Sequence, residues 1–174
     1  RAVGKLYKLN HAHYQKLLGL FRQNRTMCDM PSTSGESGEV CTNSSSRTEA
    51  ETDWSEQEWE EFHERVYVLL SRYHSLLGHG FQAALNEHSF QVLKRHFEVA
   101  FECFASPLNA TFGHFCSAFP DTDRFFGSYG SFFNFRPTSG SFEANPPFIA
   151  EVMAAMVDHI HTLLEGATGP MSFV

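Results

Sequence analysis

Ser139-Gly140-Ser141-Phe142-Glu143-Ala144-Asn145-Pro146-Pro147-Phe148 is the stretch whose reading decides how this chain folds. Residues 141–144 have strand length, and the two prolines that follow lack the N–H groups a sheet ladder needs. Asn145 and Pro146 each precede a proline, which disfavours helical angles and holds the backbone extended until Pro147 can open a helix. Val152, Met153, Met156, Ile160 and Leu163 then recur at helical spacing, so a helix is predicted over residues 149–164. Gly166, Gly169 and Pro170 close it before a last strand over residues 171–174. Strand, loop, helix and strand in this order make a βαβ crossover, which implies a parallel sheet with helices on its faces.

Working outward, residues 99–104 form a mostly apolar run of strand length that breaks at Ser106-Pro107. An aromatic loop region over residues 112–135 follows, with one further strand expected near residues 132–135. Before these lie a short helix over residues 89–97 and a longer one whose start is signalled by Asp53 and Glu56, spaced as a capping box. Trp59, Phe62, Val66, Leu69, Leu70, Tyr73 and Leu77 keep one face of that helix apolar until Gly78 and Gly80. Leu6, Leu9, Tyr14, Leu17, Leu18 and Phe21 predict an amphipathic helix over residues 5–21, with its basic residues in solvent. Residues 27–52 are rich in Ser, Thr, Gly and Glu and nearly empty of aliphatics, so they read as a flexible surface insertion.

The 174 residues, 42% apolar and 14% aromatic, suffice for one real core with a smaller helical layer. The expected organisation is a helical region over residues 1–97, including the insertion 27–52, followed over residues 98–174 by the amino-terminal part of an α/β core. The chain starts without methionine and stops inside an expected strand, and so reads as a truncated fragment. No apolar stretch approaches the roughly 20 residues that span a bilayer. With no signal peptide ahead of the first helix either, an intracellular protein is the default; Cys28, Cys41, Cys103 and Cys116 contain no Cys-x-x-Cys pair and read as reduced thiols. The net charge of -7 hides a split: Arg1, Lys5, Lys8, Lys16, Arg22 and Arg25 occur with no acid before residue 26, whereas residues 29–64 carry eleven acids and one base, Arg47. Only the basic stretch is suited to phosphate.

Asn145 and Pro146 carry the candidate chemistry. An amine on an adenine ring is a poor nucleophile because its lone pair is delocalised. Two acceptors that take both N–H bonds draw the nitrogen toward tetrahedral geometry and aim the lone pair at the methyl group of a sulfonium donor. The side-chain carbonyl of Asn145 and the backbone carbonyl of Pro146 are such a pair, and Phe148 offers a flat face for stacking a base. The loop leaves the carboxyl end of a strand, where open α/β sheets bind ligands. A plain proline turn capping a helix is the other reading of the same residues.

Residues 101–109 (FECFASPLN), 116–123 (CSAFPDTD) and 139–148 (SGSFEANPPF) together resemble the methyltransferase core of the phosphorylated CTD-interacting factor (CAPAM) family, over about residues 54–174. What the resemblance implies is a Rossmann-like class I methyltransferase core and S-adenosyl-L-methionine-dependent N6-methylation of the 2'-O-methyladenosine beside the mRNA cap, in the nucleus. It makes Asn145, Pro146, Pro147 and Phe148 catalytic. It assigns the cofactor to Glu102, Phe104, Ala105, Ser106, Pro107, Leu108 and Asn109, together with Phe126, Gly127 and Ser128, although no glycine-rich fingerprint is present. The implied partners are capped mRNA and, through a WW domain expected to be absent from this chain, the phosphorylated tail of RNA polymerase II. The same two carbonyls would equally orient an amine of internal RNA, of DNA or of a glutamine side chain, and a non-catalytic helical scaffold is the reading from another class.

Other residues keep two readings. Glu102 either holds a ribose hydroxyl or is a satisfied polar residue, and Asp121 and Asp123 are turn formers or site residues. The phenylalanines of residues 125–135 pack a core or stack bases. His11-x-His13 and His159-x-His161 lack a further ligand at metal spacing and read as solvated, so no metal is expected.

Overall fold

The computed structural model describes residues 5–28, 54–76 and 85–174. Its first helix, α1 (His11–Cys28), starts six residues later than the periodicity suggested, because the Asn10 side chain accepts the His13 N–H at 2.8 Å and fixes the start there. The helix runs on through residues 27 and 28, which had been assigned to the insertion; the rest of the insertion lies outside the described residues. α2 (Glu56–Ser75) carries its capping box at Ser55 and Glu58, two residues after the expected pair: the Glu58 N–H donates to Ser55 Oγ, and the Ser55 N–H donates to Glu58 Oε2. Asp53, Leu77, Gly78 and Gly80 lie outside the described residues.

α3 (Glu87–Phe97) is capped by Asn86 and ends at Glu98, whose backbone is left-handed at φ 56° and ψ 25°. A β-carbon is strained in that conformation and glycine is not. Glu98→Gly is therefore expected to stabilise the fold by about 0.5–1 kcal/mol, read as a higher midpoint in thermal denaturation.

Four short strands follow: β1 (Glu102–Ala105), β2 (Phe115–Ser117), β3 (Gly140–Phe142) and β4 (Met171–Phe173). β1 pairs with β2, and β3 with β4, both in parallel. The Cys103 N–H donates to the Glu143 carbonyl at 2.8 Å and the Glu143 N–H to the Phe101 carbonyl at 2.9 Å, so the two pairs join in the order β2, β1, β3, β4. The expected crossover is present, with α5 (Ala150–Glu165) between β3 and β4. β2 was missed within the aromatic region, and the strand expected near residues 132–135 is a 3-10 turn, Phe132–Asn134. Three consecutive phenylalanyl or polar residues cannot reveal alternation, so the pairing of β2 is set by its neighbours and not by local pattern.

Two cores stabilise this arrangement. Leu17, Phe21, Phe62, Leu69 and Phe126 pack α1 and α2 together, while Cys103, Cys116, Phe132, Phe142 and Leu163 pack the strands against α5. Lys16, expected in solvent, instead joins the cores: its Nζ donates to the carbonyls of Leu108 at 3.3 Å and Ala110 at 2.5 Å. Arg72 and Tyr73 of α2 reach Asp121 and Asp123 of α4 (Pro120–Asp123), so these two aspartates, whose carboxyls also accept backbone N–H groups of their own turn, hold helices together.

Candidate active site

A cavity of about 260 Å³ opens at the carboxyl ends of the strands. Phe104, Ala105 and Ser106 at the end of β1, Ser117 and Ala118 at the end of β2, and Pro147 after β3 all line it. Cys103, Asn109, Ser131, the aromatic pair Phe132 and Phe133, Val152 of α5 and Tyr73 and Leu76 from the end of α2 complete the wall. Its size is close to the lower end of small-molecule pockets, roughly 300–1,000 Å³. The location follows from the fold: where parallel strands end, successive chains turn away and leave a crevice rimmed by loop backbone.

The structure brings together Phe104, Ala105, Ser106, Asn109 and Pro147 of the residues expected at the site. Asn145 is half-buried, Pro146 is buried and Phe148 is 51% exposed, so the loop passes from the protein interior to the surface within four residues. The Ile149 N–H donates to the Pro147 carbonyl at 2.7 Å, which turns the chain into α5. Among the described residues no backbone N–H donates to the Pro146 carbonyl. The Ser106 turn is locked from within: Asn109 Oδ1 accepts the Ser106 N–H at 2.7 Å and its hydroxyl at 2.8 Å, while the Asn109 N–H returns to Ser106 Oγ at 3.3 Å. This is a capping-type reciprocal bond, and it presents a rigid rim to the cavity.

The remaining residues expected at the cofactor stand elsewhere. Glu102 is at the start of its strand, 5% exposed, and its Oε1 accepts the Thr111 and Phe112 N–H groups at 2.6 and 2.9 Å. Its carboxylate therefore shapes the loop after β1, which is the satisfied-polar reading. Phe126 is fully buried in the helical core. Gly127 has φ +97° and lies against the Gly113 carbonyl and the Asn24 side chain, so a β-carbon there meets backbone. Ser128 Oγ pairs with Ser117 Oγ at 2.6 Å, behind the wall that Ser117 forms. Pro107 is buried beneath the turn, and Leu108 packs on the helical core.

Sequence reading missed Tyr73, Ser117 and Phe132 as cavity residues. Tyr73 had been assigned only to an apolar helix face, and nothing local shows that its hydroxyl reaches Asp123 Oδ2 at 2.5 Å. Burial, and then the Asp123 charge, push the Tyr73 hydroxyl far above its ordinary range; burial also raises Asp123, while the Tyr73 and Ser117 hydroxyls draw it back. A second buried acid lies beside the loop. Glu143 is 4% exposed, and burial followed by the neighbouring Glu102 charge pushes its carboxyl up to about 7. Cys103 and Cys116 are buried free thiols, and burial pushes Cys116 up to about 12, so neither is a nucleophile near neutral pH. Among the described residues no group of three or more His, Cys, Asp or Glu side chains is placed to hold a metal.

Residues 46–174 match the family profile described as "Phosphorylated CTD interacting factor 1 WW domain". The chain belongs to this family. The described part of the phosphorylated CTD interacting factor match consists of α2 to α5 and the parallel strands. The chain is also similar to the "mRNA (2'-O-methyladenosine-N(6)-)-methyltransferase" of Mus musculus and to the protein of the same description from Homo sapiens, each 52% identical over 122 residues and 67% of this chain. The chain spans 17% of the length of either relative. No helix among the described residues is long and apolar enough to cross a membrane.

Proposed function

We propose that this chain carries the catalytic loop and part of the donor pocket of an S-adenosyl-L-methionine-dependent methyltransferase acting on N6 of the 2'-O-methyladenosine beside the mRNA cap. In this reading residues 98–174 are the amino-terminal part of a Rossmann-like class I core and residues 1–97 a helical region packed against it. The observation that carries it is the meeting of two separately identified segments at one cavity: Phe104, Ala105, Ser106 and Asn109 after β1, and Pro147 after β3. The names of the two relatives support the acceptor, and the family description supports an association with the phosphorylated tail of RNA polymerase II and hence a nuclear setting.

The cavity suits the donor chemically. Its wall combines three phenylalanine rings with serine and asparagine groups and holds no lysine, arginine or histidine, which favours a cationic ligand. S-adenosyl-L-methionine supplies a methyl group on a positively charged sulfur. Asn145 and Pro146 accept the two N–H bonds of the adenine amine, and Phe148, half exposed, stacks the base; stacking of this kind is worth about 1–3 kcal/mol. The segment Phe104, Ala105 and Ser106, with Asn109 and Ser117, holds the donor's polar groups.

Transfer of radiolabelled methyl groups to short RNAs by the intact protein tests the proposal. Capped RNA beginning with 2'-O-methyladenosine should be labelled at N6, and uncapped RNA of the same sequence should lose most of the labelling. Equal labelling of both would move the acceptor to internal adenine, and no labelling of any RNA would remove the catalytic reading.

A further inference from the structure

The loop that follows β1 is gripped from two sides by groups of opposite charge. From α1, Lys16 Nζ donates to the carbonyls of Leu108 and Ala110, one on either side of Asn109, at 3.3 and 2.5 Å. From β1, Glu102 Oε1 accepts the next two N–H groups, those of Thr111 and Phe112, at 2.6 and 2.9 Å. Residues 108–112 thus place acceptors on an ammonium and donors on a carboxylate, and hydrogen bonds to charged groups are the strong ones. Each charge also supports the other. Burial lowers the Lys16 ammonium and the Glu102 charge raises it back, while burial raises the Glu102 carboxyl and its two N–H donors, with Lys16, draw it down. The grip reaches the cavity through one residue: Ala110 is buried, whereas Asn109 before it lines the cavity and closes the Ser106 turn. Lys16 itself does not line the cavity, and its helix lies outside the residues 46–174 that match the family profile.

We propose that Lys16, with Glu102 across the loop, is a positioning residue for the methyl donor: it fixes the backbone of residues 108–112, and through Asn109 the Ser106 rim, in the shape that the donor meets. The inference rests on the methyltransferase reading and adds to it a role for α1. A binding rim whose supporting hydrogen bonds are already made does not have to order itself when the ligand arrives.

Calorimetry with S-adenosylmethionine and single-turnover transfer to capped RNA, both on the intact protein, test this. Lys16→Met should weaken donor binding about tenfold, the size expected when a charge-assisted hydrogen-bonding group is removed, while the transfer rate at saturating donor stays within about twofold of wild type. Leu20→Ala, on the buried face of the same helix, should lower the thermal midpoint at least as much yet leave donor affinity within about twofold of wild type. In the donor-free wild type the amides of Ala110, Thr111 and Phe112 should exchange with solvent at least about 100-fold more slowly than those of an unstructured chain. Unchanged donor affinity in Lys16→Met overturns the inference, and so does an equal loss of affinity in Leu20→Ala, which would trace the effect to the seating of α1 in general. Should Lys16→Met not fold, the exchange decides: unstructured rates at residues 110–112 in the donor-free wild type would mean that the donor orders this loop, and they overturn the inference. A wild type that does not bind the donor overturns it together with the methyl-transfer reading, whereas the other failures leave that reading intact.

Discussion

Replacing Asn145 with alanine is expected to lower methyl transfer about 100- to 1,000-fold while leaving the affinity for S-adenosylmethionine within a few-fold of wild type. The expected size comes from other enzymes in which one preorganised hydrogen-bonding group at the reacting centre is removed. The reason it applies here is geometric. The diproline after Asn145 leaves the backbone few alternatives, the Pro147 carbonyl is tied to the Ile149 N–H at 2.7 Å, and the loop is anchored on one side by β3 and on the other by the 16-residue helix α5. The backbone at Asn145 is thus held between rigid elements, which limits the reorganisation the loop undergoes when an amine arrives. In the proposed reading the donor rests on Phe104, Ala105, Ser106, Asn109 and the rest of the cavity wall and not on Asn145, so the two measurements should separate. Single-turnover transfer to capped RNA and calorimetry with the donor check them, and an Asn145→Ala protein as active as the wild type removes the loop from the chemistry.

Stability should fall as the pH rises through about 7, and Glu143→Gln should abolish most of that fall. Glu143 and Glu102 lie on neighbouring parallel strands and are 4% and 5% exposed. Glu102 is compensated by two backbone N–H groups and the nearby Lys16 charge, although burial still leaves its carboxyl above the ordinary range. No such donors reach the Glu143 side chain among the described residues, which is why it retains its proton up to about 7. In the unfolded chain it would titrate near 4.5. The folded state therefore binds more protons than the unfolded state between about pH 4.5 and 7, so the contribution is fully present below 4.5 and is lost as the pH passes 7. A shift of this size corresponds to roughly 3 kcal/mol. Urea denaturation at pH 5 and pH 8 should show Glu143→Gln close to wild type at the lower pH and more stable by up to about that amount at the higher. Parallel pH profiles for the two proteins would contradict the assignment.

The crossover at the end of the chain was legible because two independent signals agreed there: the diproline stop and the regular apolar spacing of Val152, Met156, Ile160 and Leu163. The same agreement placed α2 and α3 to within a few residues. The shifts at the starts of α1 and α2 came from rival cap residues, since Asn10 and Ser55-x-x-Glu58 carry signals as good as those chosen. β2 was hidden because three residues are too few to show alternation and its partner is thirteen residues upstream, from Phe115 to Glu102. Of the candidate site, the loop and the segment after β1 were readable as motifs. Tyr73, Ser117 and Asp123 were not, because they meet only when α2 docks on α4, and local sequence does not record the docking of elements some fifty residues apart. Sequence left Glu102 with two readings because the partners its carboxylate takes, the Thr111 and Phe112 N–H groups, are backbone groups that any sequence would offer.

Tyr73 and Leu76 belong to a helix whose own apolar core is the α1–α2 layer, yet they wall a cavity built mainly from strand ends. The pocket therefore comes into being only in molecules in which both layers are seated on each other. A ligand that fills it spends part of its binding free energy holding that seating together, so the amides of α2 should exchange with solvent more slowly once the donor is bound, far from any atom the donor touches.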